Sequence, residues 1–353
     1  QIKEYRYYAN SNLLLTDGTY AFVYDDDGNL IKKGNTFVLE GEKVIFATGG
    51  RGVEYWEYGY NLRNQLIQVG KNGEVVAEYS YDGLGLRVNA ITTITSKVTG
   101  ESKTTTRDYV FDLADRVIYD KVISATGELP VDEDPETSTE NSYIFAGMTH
   151  FAKVEGVIGT AAKVYYYHND HLGSPMAVTD GEGNVAWSQD YLPYGQALNE
   201  EAVSTKTRFT FTGKEYDEAS GLYYYNARWY DADLGRFISE DTYAGDPNDP
   251  RSLNRYVYTR GNPLKYIDPT GHDPIPYAEP TEEEKQRLQD LYDELDIDVD
   301  VDDLYDVSLE DYGLDEDFIE EVEKVRAHID YAESDPSDTL TPELVLAYHN
   351  DPN

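Results

Sequence analysis

Tyrosine and aliphatic residues alternate with polar ones over most of the first 270 positions. In "EYSYDGLGLRV", Tyr79 and Tyr81 stand two apart, which places both on one face of a β-strand. Turn dipeptides follow at once. Asp27-Gly28, Asn72-Gly73, Asp82-Gly83 and Asp180-Gly181 supply residues that tolerate positive φ and so mark tight hairpins. Strands bounded by such turns, with almost no helical periodicity among them, predict a mainly β chain built as an antiparallel hairpin meander.

The meander is repetitive. A unit of roughly 20 residues sets an aromatic and an aspartate before a glycine and then an apolar residue. It reads "YDDDGNLIKKG" from Tyr24, "YNLRNQLIQVG" from Tyr60, "YDGLGLRV" from Tyr81 and, degenerate, "FDLADRVIYDK" from Phe111. Each copy has one mechanism: Tyr and Leu or Val on a half-buried pleated face, Asp capping the turn through its side chain, Gly in the left-handed position. One unit buries too little to stand alone, so neighbours must stack. Residues 124–142, "SATGELPVDEDPETSTENS", interrupt the pattern and predict an exposed acidic loop.

After Pro280 the period becomes helical. Thr281 and Glu284 have capping-box spacing, and Leu288, Leu291, Tyr292 and Leu295 then share one face. Phe318, Val322, Val325 and Ile329 predict a second amphipathic helix, and Thr341-Pro342 opens a short third. Charge moves with the pattern. Residues 273–353 hold 28 acidic against 4 basic residues, a net of −24, leaving −15 of the total −39 on residues 1–272. A boundary near residue 272 follows, with a small acidic α-helical region beyond it.

This charge excludes a phosphate-backbone surface, which needs clustered Lys and Arg, and the tail lacks the basic residues of a nuclease. Cysteine is absent, which removes disulfides and thiolate metal sites. No run of about 20 apolar residues is present to span a membrane. The chain starts at Gln1 without a basic and apolar leader, so it is expected to be a piece of something longer, with any export signal removed or lying outside it.

The stretch Tyr165–Gln196, "YYYHNDHLGSPMAVTDGEGNVAWSQDYLPYGQ", resembles the signature of Rhs or YD-repeat proteins. "FTGKEYDEASGLYYYNARWYDADLGRFISED" and "NRYVYTRGNPLKYIDPTG" continue the resemblance, in the order of the Rhs repeat-associated core. It is dense over Tyr165–Gly271, looser upstream, and stops after His272. The resemblance implies a bacterial polymorphic toxin or wall-associated protein, secreted or delivered to a cell surface. In such proteins hairpins spiral into a hollow shell, the core plugs one end, and a variable C-terminal region is carried as cargo. The expected organisation is therefore a YD-repeat region over 1–164, the Rhs core over 165–271 and the variable acidic region over 272–353. The expected partners are the chain's own C-terminal region, secretion machinery or an immunity protein. A second function stays open, a non-catalytic surface protein whose tyrosines stack on glycans or cell-wall polymer.

Several relatives of this kind are also intramolecular aspartic proteases that cut after a motif P-x-x-x-x-D-P-x-G-L. Pro263, Asp268, Pro269 and Gly271 fit it, whereas His272 stands where leucine is usual. Either cleavage tolerates the change or this copy is silent. Such chemistry needs two carboxyl groups near enough to share a proton. The candidates are Asp241 and Asp268, with Arg236 as a cation to orient a carboxylate, although Thr242 follows Asp241 where proline is usual. Each has a plain structural reading as well: a turn opener, a cap, and an ion-pair partner. No cofactor and no metal are expected. His168 and His171 lack a third ligand, and the calcium-loop-like run from Asp296 has Val301 and Val307 where glycine and glutamate are required.

Overall fold

The computed structural model describes residues 4–47, 49–96, 98–126, 137–156, 162–198, 207–247, 249–272 and 274–276. The chain divides into two units, Gln1–Glu284 and Lys285–Asn353. The predicted helices after Pro280 and the acidic run from Asp296 lie outside the described residues.

The first layer is one fifteen-stranded antiparallel sheet in which each strand pairs with the next along the chain. Its strands are β1 (Arg6–Tyr7), β2 (Leu14–Thr16), β3 (Ala21–Tyr24) and β4 (Leu30–Gly34), then β7 (Tyr55–Tyr60), β8 (Leu66–Lys71), β9 (Glu74–Tyr81) and β10 (Arg87–Thr95). It continues through β11 (Ser102–Phe111), β12 (Val117–Thr126), β13 (Thr137–Ala146), β14 (Thr149–Glu155), β15 (Lys163–Asn169), β16 (Pro175–Asp180) and β17 (Val185–Ser188). A separate hairpin, β5 (Phe37–Glu40) with β6 (Lys43–Phe46), is inserted between β4 and β7. It lengthens the interval between the Tyr24 and Tyr60 copies of the repeat.

The turns follow one plan. In the turns that start at Asp25, Asn61, Asp82, Asp112, Asp170 and Asp180, the first residue's Oδ1 accepts from the backbone N–H groups two and four positions on. The residue three positions on has positive φ, whether Gly85 at +99° or Asp115 at +58°. Short polar side chains hydrogen-bond locally and tolerate that region, so the degenerate copy turns as well as the others. The dipeptide reading is corrected here: in the Asp82 and Asp180 turns the left-handed residue is Gly85 or Gly183, not the glycine next to the aspartate. Asn72-Gly73 does turn with both residues at positive φ, the two-residue hairpin expected of it. Replacing Asp82 by Ala removes the acceptor for the 84, 85 and 86 N–H groups. The expected cost is about 1–2 kcal/mol, read from the urea midpoint of unfolding.

The region expected to be an acidic loop is narrower than 124–142. Strands β12 and β13 run into it, with Ser124 paired to Thr137, because Ser and Thr sit comfortably on a pleated ladder. The wall itself ends at Ser188 rather than near Gly271. Beyond it β18 (Glu215–Asp217), β19 (Leu222–Tyr225), β20 (Arg228–Asp231) and β21 (Arg236–Phe237) form a second, four-stranded sheet. The last pair is β22 (Tyr266–Ile267) with β23 (Ile275–Pro276).

The small sheet packs on the wall through one apolar cluster. Leu14, Phe22, Tyr58, Val69 and Tyr109 of the wall share it with Leu222, Tyr224, Trp229 and Ile238. Tyrosine suits such an interface, since its ring is buried while its hydroxyl finds a partner. Tyr79 meets Trp229 with ring centroids 4.5 Å apart and donates to Asp217 at 2.6 Å, and Tyr109 donates to Glu215 at 2.8 Å. Among the described residues, Tyr5, Tyr7 and Tyr243 are the exposed tyrosines, so most of the rings are spent on packing. A buried cation completes the joint. Arg87 is fully buried among the rings of Tyr79, Tyr109, Tyr224 and Trp229 and pairs with Glu215, which also holds Arg208.

Candidate active site

The site forms where the chain, having completed the small sheet, folds back beneath the β19–β20 turn. Asn226 makes that turn at φ +61°, and the Ala227 N–H donates to the Thr270 carbonyl at 3.2 Å. The segment from Asp268 to His272 is thereby laid against the start of β20. Asp268 closes its own loop, its Oδ1 accepting from the Gly271 N–H at 2.8 Å and the His272 N–H at 3.0 Å. Pro263 is buried upstream, and the Pro269 carbonyl accepts from Lys214 Nζ at 2.5 Å.

Arg228, the first residue of β20, is the centre of the arrangement. Its Nη2 lies 2.8 Å from Asp241 Oδ2 and 3.4 Å from Asp268 Oδ2, and its Nε donates to the Gly271 carbonyl. The Arg255 carbonyl accepts from Nη1 at 3.0 Å, and the guanidinium rests on the Phe237 ring at 3.7 Å. A planar fork with several fixed donors holds two carboxylates and two carbonyls at set angles at once. Both candidate carboxylates therefore meet at one nitrogen. Arg236 lies elsewhere, donating to the Asn12 carbonyl at 2.7 Å and facing the Tyr256 ring.

His272 reaches the same centre. Its Nδ1 is 3.0 Å from Asp241 Oδ1, which also accepts from the Tyr243 N–H at 2.9 Å. The surroundings push the two carboxyls apart. Burial drives Asp268 above the usual carboxylate range despite Arg228 and Lys214. Burial acts on Asp241 too, but the hydrogen bond from His272 and the Arg228 charge outweigh it and hold Asp241 below that range. Two neighbouring carboxyls whose pKa values are moved in opposite directions are the division an acid and a base need.

Two cavities flank the pair. One of about 30 Å³ is bounded by Arg228, Asp241, Tyr243, Arg255 and His272, enough for one water. The other, of about 230 Å³, lies behind Asp268 and Pro269 and is lined by Lys214, His150, Phe145 and Phe209. Burial lowers the Lys214 ammonium to about 8, and the Asp268 charge offsets this only in part.

Sequence reasoning named Asp241, Asp268 and His272, and the fold gathers all three. It missed Arg228 and Lys214, which follow "YYYNA" and "FTG" with no local mark of a shared role. His168 and His171 have ordinary partners: Thr179 Oγ1 at 3.0 Å and the Leu264 carbonyl at 3.0 Å.

Comparison with known proteins bears on the family of the chain. The family model described as RHS protein matches residues 164–201. The tRNA3(Ser)-specific nuclease WapA of Bacillus spizizenii is 27% identical over 259 residues, covering 73% of this chain and 9% of the nuclease. Double-stranded DNA deaminase toxin A of Burkholderia cenocepacia is 27% identical over 274 residues, 75% of this chain and 18% of the toxin. Toxin protein Tse5 of Pseudomonas aeruginosa is 34% identical over 112 residues, 31% of this chain and 8% of Tse5. The chain thus spans less than a fifth of each of these relatives. The aromatic-aspartate hairpins of the wall, the RHS match over residues 164–201 and these relatives together support the Rhs, or YD-repeat, family for this chain.

Proposed function

We propose that this chain is the wall and core of an Rhs-type toxin scaffold that presents the acidic region beyond residue 272 as cargo and frees it by cutting itself after His272. The observation that carries the reading is the meeting of Asp241, Asp268 and the Gly271 carbonyl on one guanidinium, Arg228, one residue before the expected cut. In this reading the carboxyl of Asp268, whose pKa burial raises, serves as acid, and Asp241 belongs to the base that activates the attacking water. Arg228 holds the substrate segment and balances the charge that builds there.

Relatives named as a nuclease, a deaminase toxin and a toxin protein support a toxin scaffold. Delivery outside the producing cell, with secretion machinery or an immunity protein as partner, belongs to the same proposal. The chain and its Asp268→Asn form, compared on a denaturing gel with mass spectrometry, test the cut. Two fragments meeting at residue 272 are expected from the first and none from the second. A parent chain that stays whole removes the protease from the reading and leaves the scaffold.

A further inference from the structure

Resting on that reading, we infer that the substrate supplies part of its own catalytic machinery: the imidazole of His272, the residue whose carbonyl is attacked, works with Asp241 as the base. Asp241 Oδ1 is 3.0 Å from His272 Nδ1, and the cavity of about 30 Å³ that both residues bound has room for the attacking water. A leucine here could make no such contact. Asp241 fixes the tautomer by accepting from Nδ1–H, which leaves Nε2 free to take a proton, as an aspartate does for a catalytic histidine elsewhere.

The step balances. Water oxygen bonds to the His272 carbonyl carbon while its proton passes to Nε2. Asp268 protonates the leaving amide nitrogen, and the carbon–nitrogen bond breaks. The products are a carboxyl group on residue 272 and an amine on residue 273. The imidazolium then returns its proton through solvent to Asp268.

The pair faces Arg228 of β20, Arg255 and Arg260 of the following loop, Tyr243, and Asp268 across the guanidinium. Protonating His272 removes the base, so the cut is expected to slow on the acid side. Asp268 must keep its proton as well, so the parent profile falls on both sides, whereas an Asp–Asp pair without the imidazole lacks this acid-side limb near neutrality and slows only as its shared proton is lost.

The full chain is synthesised cell-free with a radiolabel, shifted to buffers from pH 5 to 9, and the cut fraction followed on gels for parent, His272→Leu and His272→Gln. The parent is expected to rise by about tenfold from pH 5 to its optimum, an acid-side limb that needs the imidazole. His272→Leu, with the motif's usual residue, is expected to cut with no such rise, and His272→Gln, which keeps a donor but cannot take a proton, to be slower at every pH. Matching pH profiles for the parent and His272→Leu overturn the inference and leave self-cleavage standing, as does a leucine form that cuts beside a silent parent. If no form cuts at any pH, self-cleavage itself fails and the inference falls with it.

Discussion

Replacing Arg87 by Met is expected to destabilise the chain by about 3 kcal/mol, because it strands one partner of a buried ion pair. Arg87 belongs to β10, and its partner Glu215 opens β18, 128 positions later. The guanidinium therefore joins the wall to the small sheet. Its removal leaves Glu215 buried with Arg208 and the Tyr109 hydroxyl, so part of the charge stays compensated. That places the loss near the lower end for broken buried pairs. Methionine fills similar space among the four rings, which limits the cavity contribution and makes the variant a test of charge. Urea unfolding reads the loss, and Arg87→Met combined with Glu215→Gln is expected to recover part of it. A single variant within 0.5 kcal/mol of the parent, roughly the range of ordinary surface substitutions, would mean that the rings alone hold the joint.

The same pair sets an acid limit. Burial opposes the charge on Glu215, but Arg208 and Arg87 outweigh it and bring the carboxyl down to about 2 from an ordinary 4.5. A carboxyl lowered on folding adds stability that is fully present above its unfolded value and is lost as pH falls toward its folded one. The contribution of Glu215 thus fades between about pH 4.5 and 2, and Glu215→Gln flattens that part of the stability profile.

The hairpins and the cutting loop were legible in the sequence, and the roles of Arg87 and Arg228 were not. The repeat is local: an aspartate, a residue of positive φ three positions on, and apolar flanks lie within one short stretch, so hairpin after hairpin could be traced from "YDDDG" or "YDGLG". Asp268 is local too, because its loop closes on Gly271 and His272 within four residues. Arg87 in "LGLRV" and Arg228 in "NARWYD" each look like the polar member of an alternating strand. Their burial is decided by a second sheet that folds onto them, and nothing within ten residues reports it. Arg236 was chosen for its nearness to Asp241 in sequence. Antiparallel pairing turns it toward Asn12 and brings Arg228, at the far end of the adjacent strand, to the carboxylates instead. The end of the wall at Ser188 was hidden for a related reason. Strands β18 to β20 are as rich in tyrosine as the wall, and tyrosine content does not say which sheet a strand joins.

Gly271→Ala is expected to slow self-cleavage by on the order of 100-fold, the scale of loss when reacting groups are displaced by about 1 Å. The Asp-Pro-x-Gly run is more than a turn signal. At φ +79° Gly271 holds a conformation that costs L-residues energy, and a Cβ built there runs into the Tyr225 carbonyl oxygen and stands 3.1 Å from the Arg228 nitrogen. Those neighbours are backbone of the β19–β20 turn, fixed by the Ala227 hydrogen bond to Thr270, and cannot swing aside as a side chain does. The segment must lift instead. Lifting draws the Gly271 carbonyl from Arg228 Nε, and with it the bond due to be cut, while Asp241 and Arg228 stay on their own elements. Stability is expected to fall by only about 1–2 kcal/mol, because the strain is confined to the one short loop from Asp268 to His272. A large loss of cutting with a small loss of stability separates a positioning glycine from a merely structural one. Cutting within threefold of the parent would show that the close approach of this loop to β20 is not what aligns the bond.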